Sequence, residues 1–151
     1  MKGKVFSVNI SKRKGEPKRP VEEAILLKDF GLLGDVHAGL DEKKQVSLLS
    51  WERMQEKNFC HKKANLKVRP GDFAENITTS SIDLSKIKIG ERLKIGDAII
   101  EVSQIGKKCH LHCEIYKRLG NCIMPKEGIF AKVIKGGKVR AGDLIEVIED
   151  D

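Results

Sequence analysis

From residue 92 onward the chain is a series of short apolar runs, RLKIG, AIIEVSQI, GIFAKVIKG and DLIEVIE, separated by Gly-Asp, Gly-Gly and Gly-Asp steps. Runs this short cannot make a stable amphipathic helix, and glycine beside aspartate supplies the backbone freedom of a tight turn, so each run is a strand. Residues 2 to 10 alternate in the same way, with Phe6, Val8 and Ile10 expected on one side and Ser7 and Asn9 on the other. EEAILLKDF (22 to 30) and Gln45 to Leu49 add two further strand candidates. Helix is predicted in only two places. One spans 51 to 58, where Ser50 can cap and Glu52 sits in the first turn; the other spans 110 to 119. Asn58 to Arg69 has no period and reads as an irregular connection to Pro70-Gly71, after which PGDFAENITTSSIDLSKIKIG reads as extended. Many short strands with so little helix imply a mainly β fold, a closed or nearly closed β-barrel with two or three short helices. With no linker and no repeat, residues 1 to 151 form one domain. A doubly wound α/β fold would need helices between the strands.

A chain of 151 residues can bury roughly two-thirds of its unfolded surface without bridges or a metal. The cysteines therefore need another reason to be there. No run of about 18 apolar residues occurs, and MKGKVFSV lacks the apolar core of a secretory signal, so a cytoplasmic, non-membrane protein is expected. Thiols stay reduced in that compartment, and four cysteines at irregular spacing read as ligands, nucleophiles or small buried side chains. The net charge of +7, from 29 basic and 22 acidic residues, favours anionic partners. Aromatic residues are only 5% of the chain, too few for base stacking, which makes nucleic acid an unlikely partner. The basic stretch SKRKGEPKRP (11 to 20), carrying Lys12, Arg13, Lys14, Lys18 and Arg19, reads first as a solvated loop, with recruitment of an anion as the second reading.

Three of the four cysteines and two of the four histidines fall within residues 109 to 122. Cys109 follows Lys107 and Lys108 at the point where a strand should stop and a helix begin. Both neighbouring lysines and a helix N-terminus lower a thiol pKa, and the thiolate is the form that attacks sulfur or binds a soft metal. On a helix, Cys109, His112, Cys113 and Tyr116 would share a face, with Leu111, Ile115 and Leu119 on the buried one. Cys109, His110 or His112, Cys113 and Cys122 could alternatively hold zinc, although the spacing is not that of a doubled CxxC site. Cys60 reads equally well as a buried hydrophobe. His37, beside Asp35 in GDVHAG, and the polar ENITT stretch (75 to 79) are each compatible with an ordinary turn.

In order along the chain, GLLGDVHAG (31 to 39), KQVSLLSWE (44 to 52), PGDFAENITT (70 to 79), IGERLKIGDAIIEVSQIGKKCH (89 to 110) and GNCIMPKEGIFAKVIKGGKVRAGD (120 to 143) resemble the MOSC domain, named for the C-terminal domain of molybdenum cofactor sulfurase, in its small stand-alone form. The resemblance implies a barrel related to the pyruvate-kinase β-barrel domain, with a pocket at one end around a cysteine. It also implies binding of molybdenum-pterin cofactor or delivery of sulfur to it. Carried onto this chain, the family cysteine is Cys109, a ligand to molybdenum or a persulfide carrier; the pocket loop is Gly34, Asp35 and His37; and the strand-end polar set is Glu75, Asn76 and Thr78. Lys44 stands where the family usually has arginine, which exchanges a bidentate fork for a point charge. Lys44, Arg92, Lys107 and Lys108 would supply positive potential for the cofactor phosphate. The sequence carries no pyridoxal-phosphate desulfurase module, so the implied partners are a separate cysteine desulfurase and the proteins that make or accept the cofactor. The alternative is a zinc-stabilised basic barrel that binds nucleic acid without catalysis.

Overall fold

The computed structural model describes residues 1–56, 67–107 and 123–148. Seven strands close into a barrel: β1 (Lys2–Ile10), β11 (Leu144–Ile148), β7 (Arg92–Ile95), β8 (Ala98–Ile105), β9 (Ile129–Lys135), β5 (Val46–Ser50) and β6 (Ile77–Ser80), which returns to β1. A short strand β2 (Arg19–Val21) extends the sheet beyond β1. The β1–β11 pairing, with Lys2 opposite Glu146 and Lys4 opposite Leu144, joins the two ends of the chain and removes the sheet edge there. Among the pairings of this sheet β5–β6 is parallel and the others are antiparallel. The expected mainly β barrel is thus the fold observed.

The runs at 2 to 10, 92 to 105, 127 to 135 and 143 to 149 all contribute barrel strands, the first continuous, the second divided by the turn at Gly96-Asp97. The run at 22 to 30 is shorter than expected. It forms β3 (Glu23–Leu27), which leaves the barrel and pairs with β10 (Gly137–Arg140) and β4 (Gly31–Leu32) in a separate small sheet. Helix is brief: α1 (Trp51–Met54), α2 (Met124–Glu127) and one 3₁₀ turn at Leu84–Lys86. Ser50 caps α1 as its sequence position predicts, its hydroxyl accepting from the Arg53 N–H. The helix predicted over 110 to 119, with Leu111, His112, Ile115, Tyr116 and Leu119, lies outside the described residues, as do 57 and 58 at the end of the first predicted helix. No helix among the described residues is long and apolar enough to cross a membrane.

Side chains from every barrel strand fill the interior, among them Val5, Val8, Leu48, Ile77, Leu93, Ile100, Val133 and Ile145, each at most 1% exposed. Each such side chain contributes about 1.5–3 kcal/mol relative to exposure. A second apolar cluster of Leu49, Met54, Phe73, Ile123, Met124 and Phe130 lies on the other side of β5. Arg53 ties the helices over it by donating from Nε and Nη2 to the two Glu127 carboxylate oxygens at 2.9 Å each.

The expected sidedness of β1 fails at Phe6. Val5 pairs with Thr79 and Ser7 with Thr78, so β1 carries one residue more than β6 across this step. This bulge inserts Phe6 and resets the phase: Val5 and Val8 both enter the barrel. Phe6 turns outward, 42% exposed, and stacks on Trp51 at 4.5 Å. Ser7 and Asn9 face away from the barrel interior yet remain buried, because loops cover that side of the wall.

Candidate functional site

The loops over the outer face of β1 and β6 enclose a polar cluster. Lys18, expected in a solvated loop, is at its centre, with a side chain 0% exposed. Its ammonium has three hydrogens and three partners: Asp35 Oδ1 at 2.8 Å, His37 Nδ1 at 2.9 Å and Ser11 Oγ at 3.2 Å. The backbone holds the loop inward. Lys18 N–H donates to the Gly71 carbonyl at 2.7 Å, and a Cβ on Gly71, whose φ is +87°, would lie 2.2 Å from the Lys18 carbonyl oxygen. Glycine is therefore required where Pro70-Gly71 crosses the basic loop.

Asp35 organises the cluster from the other side. Its Oδ1 also accepts the Ser11 N–H at 3.0 Å, and its Oδ2 accepts the His37 N–H at 3.3 Å. Burial works against the ionised carboxylate, but the hydrogen bond and charge of Lys18, with help from Ser11 and Asn76, outweigh it and hold the Asp35 pKa below its ordinary value. Burial likewise lowers the Lys18 pKa, against the opposing pull of Asp35. His37 is 37% exposed, and its pKa is pushed down to about 4, first by burial and then by the Lys18 charge, with Lys107 and Lys14 adding to it. At neutral pH the ring is uncharged beside a lysine.

A second network lies against the first. Ser7 Oγ donates to Asn9 Oδ1 at 2.7 Å, Asn9 Nδ2 donates to Thr78 Oγ1 at 3.0 Å, and Thr78 Oγ1 donates to Glu75 Oε2 at 2.6 Å. Glu75 also accepts the Gly71 N–H at 2.9 Å and the Phe73 N–H at 3.2 Å. Ala74, at a φ of +62°, makes the left-handed kink that lets the Glu75 carboxyl reach back to these amides. Complete burial raises the Glu75 pKa to about 7 despite these donors. Asn76 joins three strands: its Oδ1 accepts from Ser47 N at 3.0 Å and Ser47 Oγ at 3.2 Å, and its Nδ2 donates to the Asn9 carbonyl at 3.3 Å.

The structure therefore brings together Asp35, His37, Asn76 and Thr78 from the sequence-derived set, with Lys107 close enough for its charge to act on both Lys18 and His37. Asn76 and Thr78 are buried, with their polar groups bonded within the protein. Lys44 stands apart; its ammonium lies over the Phe130 ring at 5.8 Å. Arg92 is likewise engaged elsewhere, with Glu101 at 3.2 Å. Cys60, Lys108, Cys109, His110, Cys113 and Cys122 lie outside the described residues, and no metal-holding group of His, Cys, Asp and Glu occurs among the described ones. Sequence reasoning missed Lys18 and Asn9. Nothing local separates Lys18 from Lys12, Arg13, Lys14 and Arg19, whereas Asn9, amid the apolar residues of β1, carried a weak signal as a polar side chain in a strand covered on both faces. A groove of about 730 Å³, lined by residues such as Leu49, Arg53, Ile82, Leu84, Ile87 and Glu127, shares no residue with the cluster.

The small closed barrel thus carries a buried lysine–aspartate pair and a neutral histidine beneath the loops on the outer face of β1 and β6. The chain belongs to the MOSC domain family, whose pattern matches residues 33–146. Solved structures agree in fold. The YUAD protein from Bacillus subtilis, 20% identical, superposes with a TM-score of 0.81 over 100% of this chain and 98% of its own. YiiM from Escherichia coli is 25% identical, with a TM-score of 0.70 over 100% of this chain and 71% of its own. YiiM from Geobacillus stearothermophilus is 18% identical, with a TM-score of 0.72 over 97% and 75%. No curated protein sequence matches the chain.

Proposed function

We propose that the protein binds molybdenum-pterin cofactor, or carries sulfur for it, at the site around His37, with Cys109 as the thiol that ligates molybdenum or holds a persulfide sulfur. Family membership supports a role connected with this cofactor. The observation that carries the reading to this site is the charge of Lys107 acting on Lys18 and His37, because Cys109 follows Lys107 by two positions in the chain.

The donor set fits such a ligand. Lys107 and Lys14 bring positive charge to bear on His37, a potential suited to a phosphate beside a neutral polar group. A thiolate is the soft ligand that molybdenum or sulfane sulfur requires. Bound, the cofactor would supply the soft metal centre and the phosphate. The chain supplies the positive field, a histidine fixed in place by Lys18 and Asp35, and the backing network of Asn9, Asn76, Thr78 and Glu75 that keeps these loops together.

Anaerobic purification followed by elemental, pterin and intact-mass analysis tests the proposal. Wild-type protein exposed to the cofactor or to a persulfide donor is expected to retain molybdenum with pterin, or one additional sulfur, and Cys109→Ser is expected to lose it. Equal retention by Cys109→Ser, or stoichiometric zinc with tight, salt-resistant nucleic-acid binding, would overturn it.

A further inference from the structure

We infer that Lys18 is a positioning residue that fixes His37 in the neutral form with its proton on Nε2, presenting that N–H as a hydrogen-bond donor to an oxygen of the bound anion. The inference deepens the proposed function and rests on it for the identity of the anion alone.

The argument begins with hydrogen counting. An ammonium has three N–H groups and no acceptor, so every contact it makes must be to an acceptor. Asp35 Oδ1 and Ser11 Oγ take two of the three hydrogens, at 2.8 and 3.2 Å, and His37 Nδ1 at 2.9 Å takes the third. Nδ1 must then offer its lone pair, which leaves the ring proton on Nε2. The Lys18 side chain is fully buried, so water cannot substitute for any of the three acceptors. Asp35 fixes the other half of the geometry by accepting the His37 backbone N–H at Oδ2, which anchors the residue bearing the ring. The His37 side chain is 37% exposed, and Nε2 is the ring nitrogen not engaged by Lys18.

A protonated ring would place two cations in contact at Nδ1, and the depression of the His37 pKa to about 4 agrees with a ring that stays neutral. A neutral N–H donor can accommodate an oxygen of phosphate, a pterin carbonyl or an oxo group without the desolvation cost of a full charge. Lysine, usually the residue that meets the anion, here acts one step behind it.

The test is the tautomer itself. Long-range ¹H–¹⁵N correlation spectra of ¹⁵N-labelled protein at neutral pH, with the His37 signals assigned by their absence from His37→Gln, are expected to show one fixed Nε2–H form. The Nδ1–H form, or an average of the two, overturns the inference. Lys18→Met, of similar length and without the charge, is expected to lose the fixed Nε2–H form, because Asp35 Oδ2, 3.8 Å from Nδ1, then favours a proton there; an unchanged fixed form in that variant overturns the role of Lys18. Should Lys18→Met not fold, the wild-type spectrum still decides the tautomer, and a pair of His37 variants supplies the second arm. Glutamine can place an amide N–H near the Nε2 position, and asparagine places one near Nδ1. Titration with inorganic phosphate is expected to show His37→Asn weakened by about tenfold or more and His37→Gln much closer to wild type. Equal weakening in both overturns the donor role. A fixed Nε2–H form in wild type that phosphate does not perturb would instead overturn the anion-facing role, and would count against the ligand class while leaving the tautomer as found.

Discussion

The wall formed by β1 and β6 has two buried faces of opposite character. Toward the barrel it presents Val5, Val8 and Ile77, and toward the covering loops it presents Ser7, Asn9 and Thr78. The apolar face tolerates repacking, because dispersion and water exclusion are non-directional. The polar face allows less freedom, since each donor has a named acceptor and removing one group strands its partner without solvent. Closing the barrel and building the site are therefore different tasks for the same strands, the first set by amount of apolar surface and the second by complete pairing.

The sharpest way to break this contrast is at the ion pair. Lys18→Met leaves Asp35 buried and unpaired, and is expected to cost about 3–5 kcal/mol in chemical denaturation. Adding Asp35→Asn should recover most of that loss, because the stranded charge is then gone. A single variant as stable as wild type would show that the covering loops open readily. On the apolar face, Ile77→Ala is expected to cost about 2–5 kcal/mol with no such rescue by a second substitution.

Glu75 gives the comparison a pH axis. Its folded pKa of about 7 lies above the ordinary 4.5, so folding takes up a proton. The stability this contributes is complete below 4.5 and is lost as pH rises through about 7. His37, at about 4 against an ordinary 6.5, runs the other way: its contribution is present above 6.5 and is lost as pH falls through about 4. The stability of wild type minus that of Glu75→Gln is therefore expected to decline between pH 4.5 and 7. A flat difference curve would remove Glu75 from the set of buried titrating groups. The smallest effect expected is a gain. Thr79 Oγ1 has no partner among the described residues although it is buried, so Thr79→Val should be neutral or stabilising by up to about 1 kcal/mol on thermal unfolding. A clear loss would reveal a hidden acceptor.

Sequence patterns made the barrel legible wherever strand identity depended on neighbours a few residues away. The runs at RLKIG and AIIEVSQI, with Gly96-Asp97 between them, became β7 and β8 because a period of two and a glycine turn are local properties. Phe6 was assigned to the wrong face because a bulge is defined by the partner strand, and β6 lies some seventy residues later. Lys18 looked solvated because its neighbours are, and its burial depends on Asp35 and Gly71 arriving from two other loops. His37 and Asp35 were found through family resemblance, since neither has a local period to mark it. Cys109, the proposed thiol, lies outside the described residues.

The pairing of β1 with β11 also sets an order of events. Strand β1 and its partner residues 144 to 146 are separated by at least 140 positions in the chain. Until these residues dock, Lys2, Gly3 and Lys4 have no neighbour on that side, and the barrel remains an open sheet with an exposed edge. Closing it requires a contact between segments far apart in sequence, and such long-range pairing is intrinsically slow. During that interval the exposed Lys2 and Lys4 put charge on the open edge and discourage its pairing with other chains.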